Sequence, residues 1–277
     1  MELNWLESVL FGFLSGFLDI VPVSAQAHKV MMLKFIGVKG DLPLLYLLVD
    51  LGVFAALYLN CQGQIVRMNR ARALSHVPKK KRRRPLDVRS LMDLSLLRTM
   101  LVPVILGLFL YQYTSVWNDN LLWIVIFLFI NGIILYVPQF LPSGNRDSRT
   151  LSRVEGLLVG LGGAASILPG ISAVGAATSV GSVCGIERSY ALDMALLMNL
   201  FLSVGWIVYD VIALSAGLGM VSFGILVRYL LAAAAAFGGT VLGIRFMRYM
   251  AAHHGYAVFA FYCWGIALFT FIFNLMA

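Results

Sequence analysis

Polar side chains that could do chemistry gather around a break in the first apolar stretch of the chain. The break is at Pro22, and Ser15, Asp19, Gln26 and His28 lie on either side of it. Polar and ionisable groups are costly inside an apolar segment, so they usually face a cavity or a partner. A helix that begins just after Pro22 would direct its free amide groups and positive dipole end at the break. The segment therefore predicts an anion site suited to phosphate.

Ser24 and His28 are four residues apart, which places them on one face of that helix. Ser24 could add a hydroxyl donor to the anion site. A protonated His28 would pair with phosphate, whereas a neutral His28 could donate one hydrogen bond. The alternative is that Asp19 and His28 only satisfy each other, with no role in binding.

A second break, at Pro169, has a similar form but carries no charge. It offers the same kind of helix N-terminus, together with Ser172 and Thr178. Gly170 and Gly175 would allow the backbone to approach a ligand or a neighbouring segment closely. This segment therefore predicts a neutral counterpart to the first anion site.

Asp50 lies alone within a third apolar segment. A carboxylate at such a position is a functional candidate, because an ionised side chain is expensive inside a membrane. It could bind a cation, relay protons or pair with an arginine. The alternative is packing in which a neighbouring polar group satisfies it.

The composition of the chain indicates what must position these residues. Of 277 residues, 60% are hydrophobic and only 12% are charged, which excludes an ordinary soluble domain. Apolar runs of about 20 residues are long enough to cross a bilayer. We expect six full spans, at about 42–59, 97–116, 121–140, 190–212, 223–243 and 256–276. The predicted fold class is an all-α integral membrane protein.

The two stretches with the breaks, residues 5–37 and 154–185, differ from these spans. Each is too long for one span and, once broken by proline, too short for two. We therefore expect re-entrant helical hairpins, whose exposed backbone is tolerated where protein or a water-filled cavity meets it. The alternative is a pair of kinked full spans at each place.

The net charge of +8 is concentrated in the connection 61–96, around Lys79, Lys80, Lys81, Arg82, Arg83 and Arg84. Between two membrane spans, a basic run typically fixes a cytoplasmic loop and contacts anionic lipid, so we do not expect nucleic acid as a partner. With this loop in the cytoplasm, the later inside connections are also basic when each broken stretch counts as a hairpin. The charges thus predict a multi-pass membrane protein with cytoplasmic basic loops.

This layout predicts two repeats of inverted topology, each with one hairpin and three spans. We place the first repeat at 1–120 and the second at 121–277, which begins with the linking span 121–140; the three spans of the first half include this linking span. Inverted repeats with broken helices are typical of alternating-access transporters. The same arrangement also makes a polar pocket that an enzyme could use.

The breaks also resemble known motifs. The first resembles Glu-Gly-x-x-Glu-Phe-Leu-Pro-Val-Ser-Ser-x-x-His of the undecaprenyl-pyrophosphate phosphatase family, the bacitracin-resistance proteins. The second resembles that family's Pro-Gly-x-Ser-Arg-Ser-Gly-x-Thr, and residues 185–191 fit its Gly-x-x-Arg-x-x-Ala, with Arg188 as the arginine. The resemblance implies six spans with two re-entrant hairpins in a bacterial inner (plasma) membrane. It also implies removal of phosphate from a C55 lipid pyrophosphate with a divalent cation (magnesium or calcium), and it leaves room for a homodimer.

The chain departs from the family pattern at several positions, four of which bear most on the chemistry. Ser15 and Asp19 stand where the pattern has glutamates, and Ala25 and Ala173 stand where it has a serine and an arginine. Matching residues are Pro22, Ser24, His28, Pro169, Gly170, Ser172, Gly175 and Arg188. Transfer of a phosphoryl group needs charge neutralisation and a placed nucleophile, and three of the groups that would supply them are missing.

Three functions remain open at this stage. The leading hypothesis is a non-hydrolytic relative that binds a polyprenyl phosphate lipid and moves it across the membrane, with Asp50 or His28 coupling protons. The second is an active phosphatase, with Asp19 as metal ligand or base and Ser24 or His28 as nucleophile. The third is a partner or regulatory subunit. Candidate headgroup ligands are Ser24, Gln26, His28, Gly170, Ser172, Thr178 and Arg188.

Overall fold

A computed structural model describes residues 3–38, 42–215 and 222–276. Ten α-helices and no β-strand are found in these ranges. The helices are α1 (Trp5–Ile20), α2 (Ala25–Ile36), α3 (Pro43–Ser75), α4 (Val88–Thr114), α5 (Leu121–Tyr136), α6 (Arg153–Ala164), α7 (Ala173–Val183), α8 (Arg188–Ser215), α9 (Phe223–His253) and α10 (Ala257–Met276).

Six of the described helical segments are long and apolar enough to cross a membrane: Pro43–Ser75, Val88–Asn118, Leu121–Phe140, Arg188–Ser215, Phe223–His253 and Ala257–Leu275. The prediction of an all-α, multi-pass membrane protein is therefore confirmed. The basic connection is shorter than the predicted 61–96, because α3 continues to Ser75 and α4 already begins at Val88. Glutamine and arginine are good helix formers, so α3 extends past its apolar part.

The two broken stretches are each a pair of short helices. In the first unit, α1 ends at Ile20 and Ser24 caps α2 by accepting a hydrogen bond from the Ala27 amide. In the second, α6 ends in a 3₁₀ turn, and the Ser172 hydroxyl caps α7 by accepting from the Gly175 amide. Serine at these positions satisfies one of the amides that a helix start leaves free. Insertion of the two units from opposite membrane faces stays a prediction.

In the packing of the helices, members of the first five contact members of the last five. Helix α1 packs along α9, and its counterpart α6 packs along α4; α3 packs on α8, and α5 packs on α10. The α1–α9 contact is close because Gly12 lies against the Ala232 backbone and Gly16 lies against the Ala236 backbone. This pairing places α5 in the first half of the chain, whereas the predicted boundary at residue 120 placed it in the second. The division into inverted repeats stays a prediction.

Candidate functional site

The two breaks meet inside the protein. A Cβ atom added at Gly175 would lie 2.5 Å from Cβ of Pro22, so the start of α7 touches the first break and has room there only for glycine. Two helix N-termini, those of α2 and α7, are therefore brought to one place. Their first amides have no partner within the helix itself.

Asn131, a fully buried side chain in the middle of α5, joins the two breaks. Its Nδ2 donates to the carbonyl oxygen of Pro22 at 3.0 Å, and its Oδ1 accepts from the amide of Ser172 at 3.0 Å. Nδ2 also lies 3.3 Å from Sγ of Cys263. One amide side chain thus satisfies a backbone acceptor of one break and a backbone donor of the other.

A cavity of about 480 Å³ opens beside this junction. Its walls come from α1, α2, α3, α4 and α8 and from the second break. The polar lining includes Asp19, Gln26, Lys29, Asp50, Tyr111, Ser172, Asn199 and Asp210. Apolar side chains of α2, α3 and α8 also line the cavity, and we call these four the apolar flank: Leu33, Val53, Leu202 and Trp206. The cavity lining therefore combines polar and apolar side chains.

An ion pair lies at the centre of the polar lining. Nζ of Lys29 contacts Oδ1 of Asp50 at 2.5 Å, and the two side chains are only 17% and 12% exposed. The same ammonium lies 5.8 Å from the centre of the Tyr46 ring. Asp210 on α8 lines the same cavity. Buried charges need such partners, so these residues stabilise one another.

Asp19 and Gln26 are held by other neighbours. Oδ2 of Asp19 accepts from Nδ2 of Asn199 at 2.7 Å. Nε2 of Gln26 donates to the Tyr111 hydroxyl at 2.9 Å and lies 3.3 Å from Oδ1 of Asn118. These bonds fix both side chains at the cavity wall.

Some polar atoms of the lining are left open. Oε1 of Gln26, Oγ of Ser166 and Oδ2 of Asp210 are buried and find no hydrogen-bond partner among the described residues. Buried polar atoms are normally satisfied, so unpartnered atoms around a cavity point to a ligand or to water. Two of these three atoms can only accept a hydrogen bond as they stand, so they require a donor such as water or a protonated oxygen of the occupant.

Four of the residues that the sequence singled out line the cavity: Asp19, Gln26, Asp50 and Ser172. His28 lies on another face of α2, where Nδ1 is 2.8 Å from the Ser24 carbonyl oxygen and Nε2 is 3.0 Å from the hydroxyl of Tyr262 on α10. Asp19 and His28 therefore each have a different partner. The alternative that they satisfy each other does not hold.

The remaining predicted ligands lie outside the cavity lining. The Ser24 hydroxyl is used to cap α2, and Thr178 donates to the carbonyl oxygens of Val174 and Gly175. Gly170 packs against the α5 backbone. Arg188 lies at the start of α8 and donates to the His254 carbonyl oxygen at 3.2 Å. Ser24, Thr178 and Arg188 thus make hydrogen bonds to protein groups near them, whereas motif spacing had predicted them to be headgroup ligands.

Sequence reasoning missed Lys29, Asn131, Asn199 and Asp210. The rule that singled out Asp50, a polar or charged residue within an apolar segment, would have found all four. Asn131 lies within the predicted span 121–140, and Asn199 and Asp210 lie within 190–212. What that rule does not reveal is which of these residues contact one another.

The positions where the chain departs from the family pattern fall in two environments. Ala25 and Ala173 are the first residues of α2 and α7, and both line the cavity. Each therefore presents a methyl group at a helix N-terminus, where the family pattern has a serine and an arginine. Ser15 is fully buried in α1, outside the lining, and its hydroxyl has no partner among the described residues.

The charge of the cavity bears on metal binding. Its lining carries three carboxylates (Asp19, Asp50, Asp210) and two ammonium groups (Lys29, Lys34) among the described residues. In the same ranges, no three His, Cys, Asp or Glu side chains converge as a group that could hold a metal ion. The donor set does not fit a divalent cation held by the protein alone.

Comparisons with known proteins find similarity to one family over nearly the whole chain. Residues 8–269 match the family model described as bacitracin resistance protein BacA. An undecaprenyl-diphosphatase of Methanobrevibacter smithii is 26% identical over 272 residues, covering 96% of each chain. Undecaprenyl-diphosphatase 1 of Bacillus licheniformis is 25% identical over 270 residues, covering 97% of each. An undecaprenyl-diphosphatase of Paenarthrobacter aurescens is 30% identical over 199 residues, covering 71% of this chain and 70% of the relative.

Proposed function

The chain belongs to the bacitracin resistance protein BacA family, and from that premise we propose that it binds a polyprenyl phosphate lipid at the junction of its two breaks and carries the headgroup across the membrane. The relatives named undecaprenyl-diphosphatase support a lipid of this class, either the phosphate or the pyrophosphate. The proposal further assigns the protein to a plasma membrane, with its basic loop in the cytoplasm against anionic lipid.

One observation carries the proposal: two helix N-termini converge on a single polar cavity that has an apolar flank. Ala25, Gln26 and Ala173 lie in the first turns of α2 and α7 and line the cavity. Free amides at helix N-termini bind phosphate without any charged side chain. Leu33, Val53 and Leu202 line the flank, where the first isoprene units of the tail would pack.

The lining favours binding over cleavage of a phosphate bond. Cleavage requires positive charge around the transferring phosphoryl group and an activated nucleophile. No arginine lines the cavity in the described part of the chain, and Lys29 is already paired with Asp50. Ala25 and Ala173 supply neither a hydroxyl nor a cation. Binding and release of a monophosphate require neither an activated nucleophile nor stabilisation of a transferring phosphoryl group.

Translocation can be measured in liposomes that contain a fluorescent polyprenyl phosphate, quenched from outside by a membrane-impermeant reductant. We expect the purified protein to make the inner-leaflet pool accessible. Gln26→Ala should slow this step about tenfold, because it removes a polar side chain that hydrogen bonds hold at the cavity wall in the first turn of α2. Gln112→Ala, at an exposed position of α4, is the matched control. Equal rates with and without the wild-type protein would contradict the proposal.

Hydrolysis of the C55 lipid pyrophosphate is the second candidate, and the full-length similarity to undecaprenyl-diphosphatases is the observation that favours it. Phosphate release should be assayed with this lipid and magnesium. If the protein is active, Asp19→Asn should abolish release, since Asp19 is the family-pattern carboxylate that lines the cavity. Release that survives both Asp19→Asn and His28→Ala would contradict the assignment of the site.

The two candidates can be separated by restoring the missing groups. The double variant Ala25→Ser with Ala173→Arg places a hydroxyl and a cation at the two helix N-termini. If the wild-type protein is a binder, we expect this variant to release phosphate at least tenfold faster than the wild type, because single transition-state donors are commonly worth that much. If the wild type already hydrolyses the lipid efficiently, the variant should bring no such gain.

A further inference from the structure

Three side chains from three helices form a charged cluster in the wall of the cavity. Lys29 is on α2, Asp50 on α3 and Asp210 on α8. The Lys29 ammonium contacts Oδ1 of Asp50 at 2.5 Å, and Asp210 lines the same cavity as this ion pair. Two of these helices are candidate membrane spans, so the cluster links the two halves of the chain across the cavity.

A second observation shows that this cluster is open to an occupant. Asp210 is 8% exposed, and its Oδ2 atom is buried and without a hydrogen-bond partner among the described residues. The same residue lines the cavity. A buried carboxyl oxygen that faces a cavity without a partner is a place where a proton can be exchanged with water or with a bound headgroup.

The surroundings favour a proton over a metal ion. The Lys29 ammonium already occupies Oδ1 of Asp50, and a metal cation would have to approach beside that positive charge. Other titratable groups face the cluster from the neighbouring helices: Asp19 on α1, Lys34 on α2, Tyr46 on α3, Tyr111 on α4 and Tyr209 on α8. Tyrosines carry no charge near neutral pH, so the two lysines and three aspartates set the charge of the cavity.

We propose that Lys29, Asp50 and Asp210 form a proton-binding site, and that a lipid phosphate entering the cavity is accompanied by uptake of one proton. This proposal rests on the proposed function. With three aspartates and two lysines ionised, the lining has one negative charge in excess, and an incoming phosphate adds to it. One O–H bond of a hydronium ion breaks, its proton forms one O–H bond on the Asp210 carboxylate, and a water molecule is left. When the headgroup leaves, the proton is returned to water.

The proton site can be tested without any lipid. Infrared difference spectra of the purified protein at low and high pH should contain the C=O stretch of a buried carboxylic acid that titrates. We expect Asp210→Asn to remove this band. Asp193→Asn is the control that should keep it, because Asp193 is a half-exposed residue paired with Arg248. The proposal would be overturned by the absence of any such band, or by a band that persists in Asp210→Asn and in Asp50→Asn.

Coupling to the headgroup is tested by adding undecaprenyl phosphate to the protein in weakly buffered detergent with a pH indicator. We expect the wild type and Asp193→Asn to take up about one proton for each lipid bound. Above about pH 8, where a free phosphate monoester is already doubly ionised, Asp210→Asn should take up no proton, and its affinity should no longer change with pH. Binding by the wild type without proton uptake would overturn the coupling but leave the proposed function standing. Failure of the wild type to bind at any pH would contradict the proposed function, whereas the infrared band would still report on the proton site.

Discussion

The two breaks have the same backbone plan but different side-chain chemistry. Each follows a short helix, each contains a proline, and each ends in a serine that caps the next helix. The first break is flanked by Asp19, Gln26 and Lys29 at the cavity wall. The second contributes Ser166 and Ser172, with no charged residue. One break thus supplies charge, and the other supplies backbone amides and close packing.

The surroundings explain why charge is tolerated at only one break. Lys29 on α2 faces α3 and α8, which provide Asp50 and Asp210 as counter-ions. Helix α7 packs against α6, α8 and α5 through small residues, and nearly all of its side chains are buried. A charge there would lack a partner in a buried position, and such a charge is strongly destabilising. A charged side chain is therefore tolerated at a break only where a neighbouring long helix supplies a counter-ion.

The largest effect on stability is expected when the charge of the first break is removed. Lys29→Met should lower the free energy of unfolding by about 3 to 5 kcal/mol, because the Asp50 carboxylate loses its buried partner. Adding Asp50→Asn should recover much of this loss, since the uncompensated charge is gone. Denaturation in detergent micelles measures both, and Lys80→Met in the exposed basic loop is the control. An effect no larger than that of the control would show that the ion pair contributes little.

The second break should be more sensitive to backbone changes. Gly170 has φ of 130°, and a Cβ atom there would lie 2.6 Å from the backbone nitrogen of Leu128. Gly170→Ala should therefore cost about 3 kcal/mol through strain and displacement of α5. The measurement is the unfolding midpoint in detergent. A variant as stable as the wild type would contradict the tight packing of this break against α5.

The junction between the breaks depends on Asn131. Asn131→Leu keeps the volume of the side chain but leaves the Pro22 carbonyl and the Ser172 amide without their partner, at a cost of about 2 kcal/mol. Because both helix N-termini lose their alignment, lipid phosphate binding should weaken as well. Unchanged binding in a folded variant would show that the two breaks act independently. Thermal unfolding and a lipid-binding titration together measure these effects.

The smallest expected difference concerns the two capping serines. Ser172→Ala removes an ordinary helix cap and should cost about 1 kcal/mol. Ser24→Gly should be within about 0.5 kcal/mol of the wild type, because Ser24 has φ of 65° and glycine adopts this conformation without strain. A larger loss for Ser24→Gly than for Ser172→Ala would reverse the comparison. Unfolding midpoints of the two single variants are sufficient to decide.

The sequence was sufficient to predict the long helices and the breaks, because both depend on local properties. Six apolar runs have the length of a bilayer crossing, and two prolines interrupt the remaining apolar stretches. The extent of the basic loop was less well predicted, since hydropathy marks where a span ends and not where helical structure ends. Helix α3 continues through Arg67 and Arg70 to Ser75.

The cavity could be predicted only in part, because its contacts join residues far apart in the chain. Asp19 meets Asn199, which is 180 residues away, and Asn131 reaches Pro22 across 109 residues. Motif spacing placed His28 with the headgroup, whereas the helix turns that side chain towards Tyr262 on α10. A single sequence shows which polar residues are unusual, but the face on which each one lies depends on how the helices pack.

The side-chain amide of Asn131 has a mechanical consequence. Because one group is bonded to both breaks, pulling the breaks apart would strip a buried carbonyl and a buried amide of their partners at the same moment. The two short helices that start there are thus fastened to α5 and should travel as one rigid piece. If the proposed translocation takes place, a headgroup would cross by moving past this fixed point while the long helices around it tilt, rather than by passing between tips that separate.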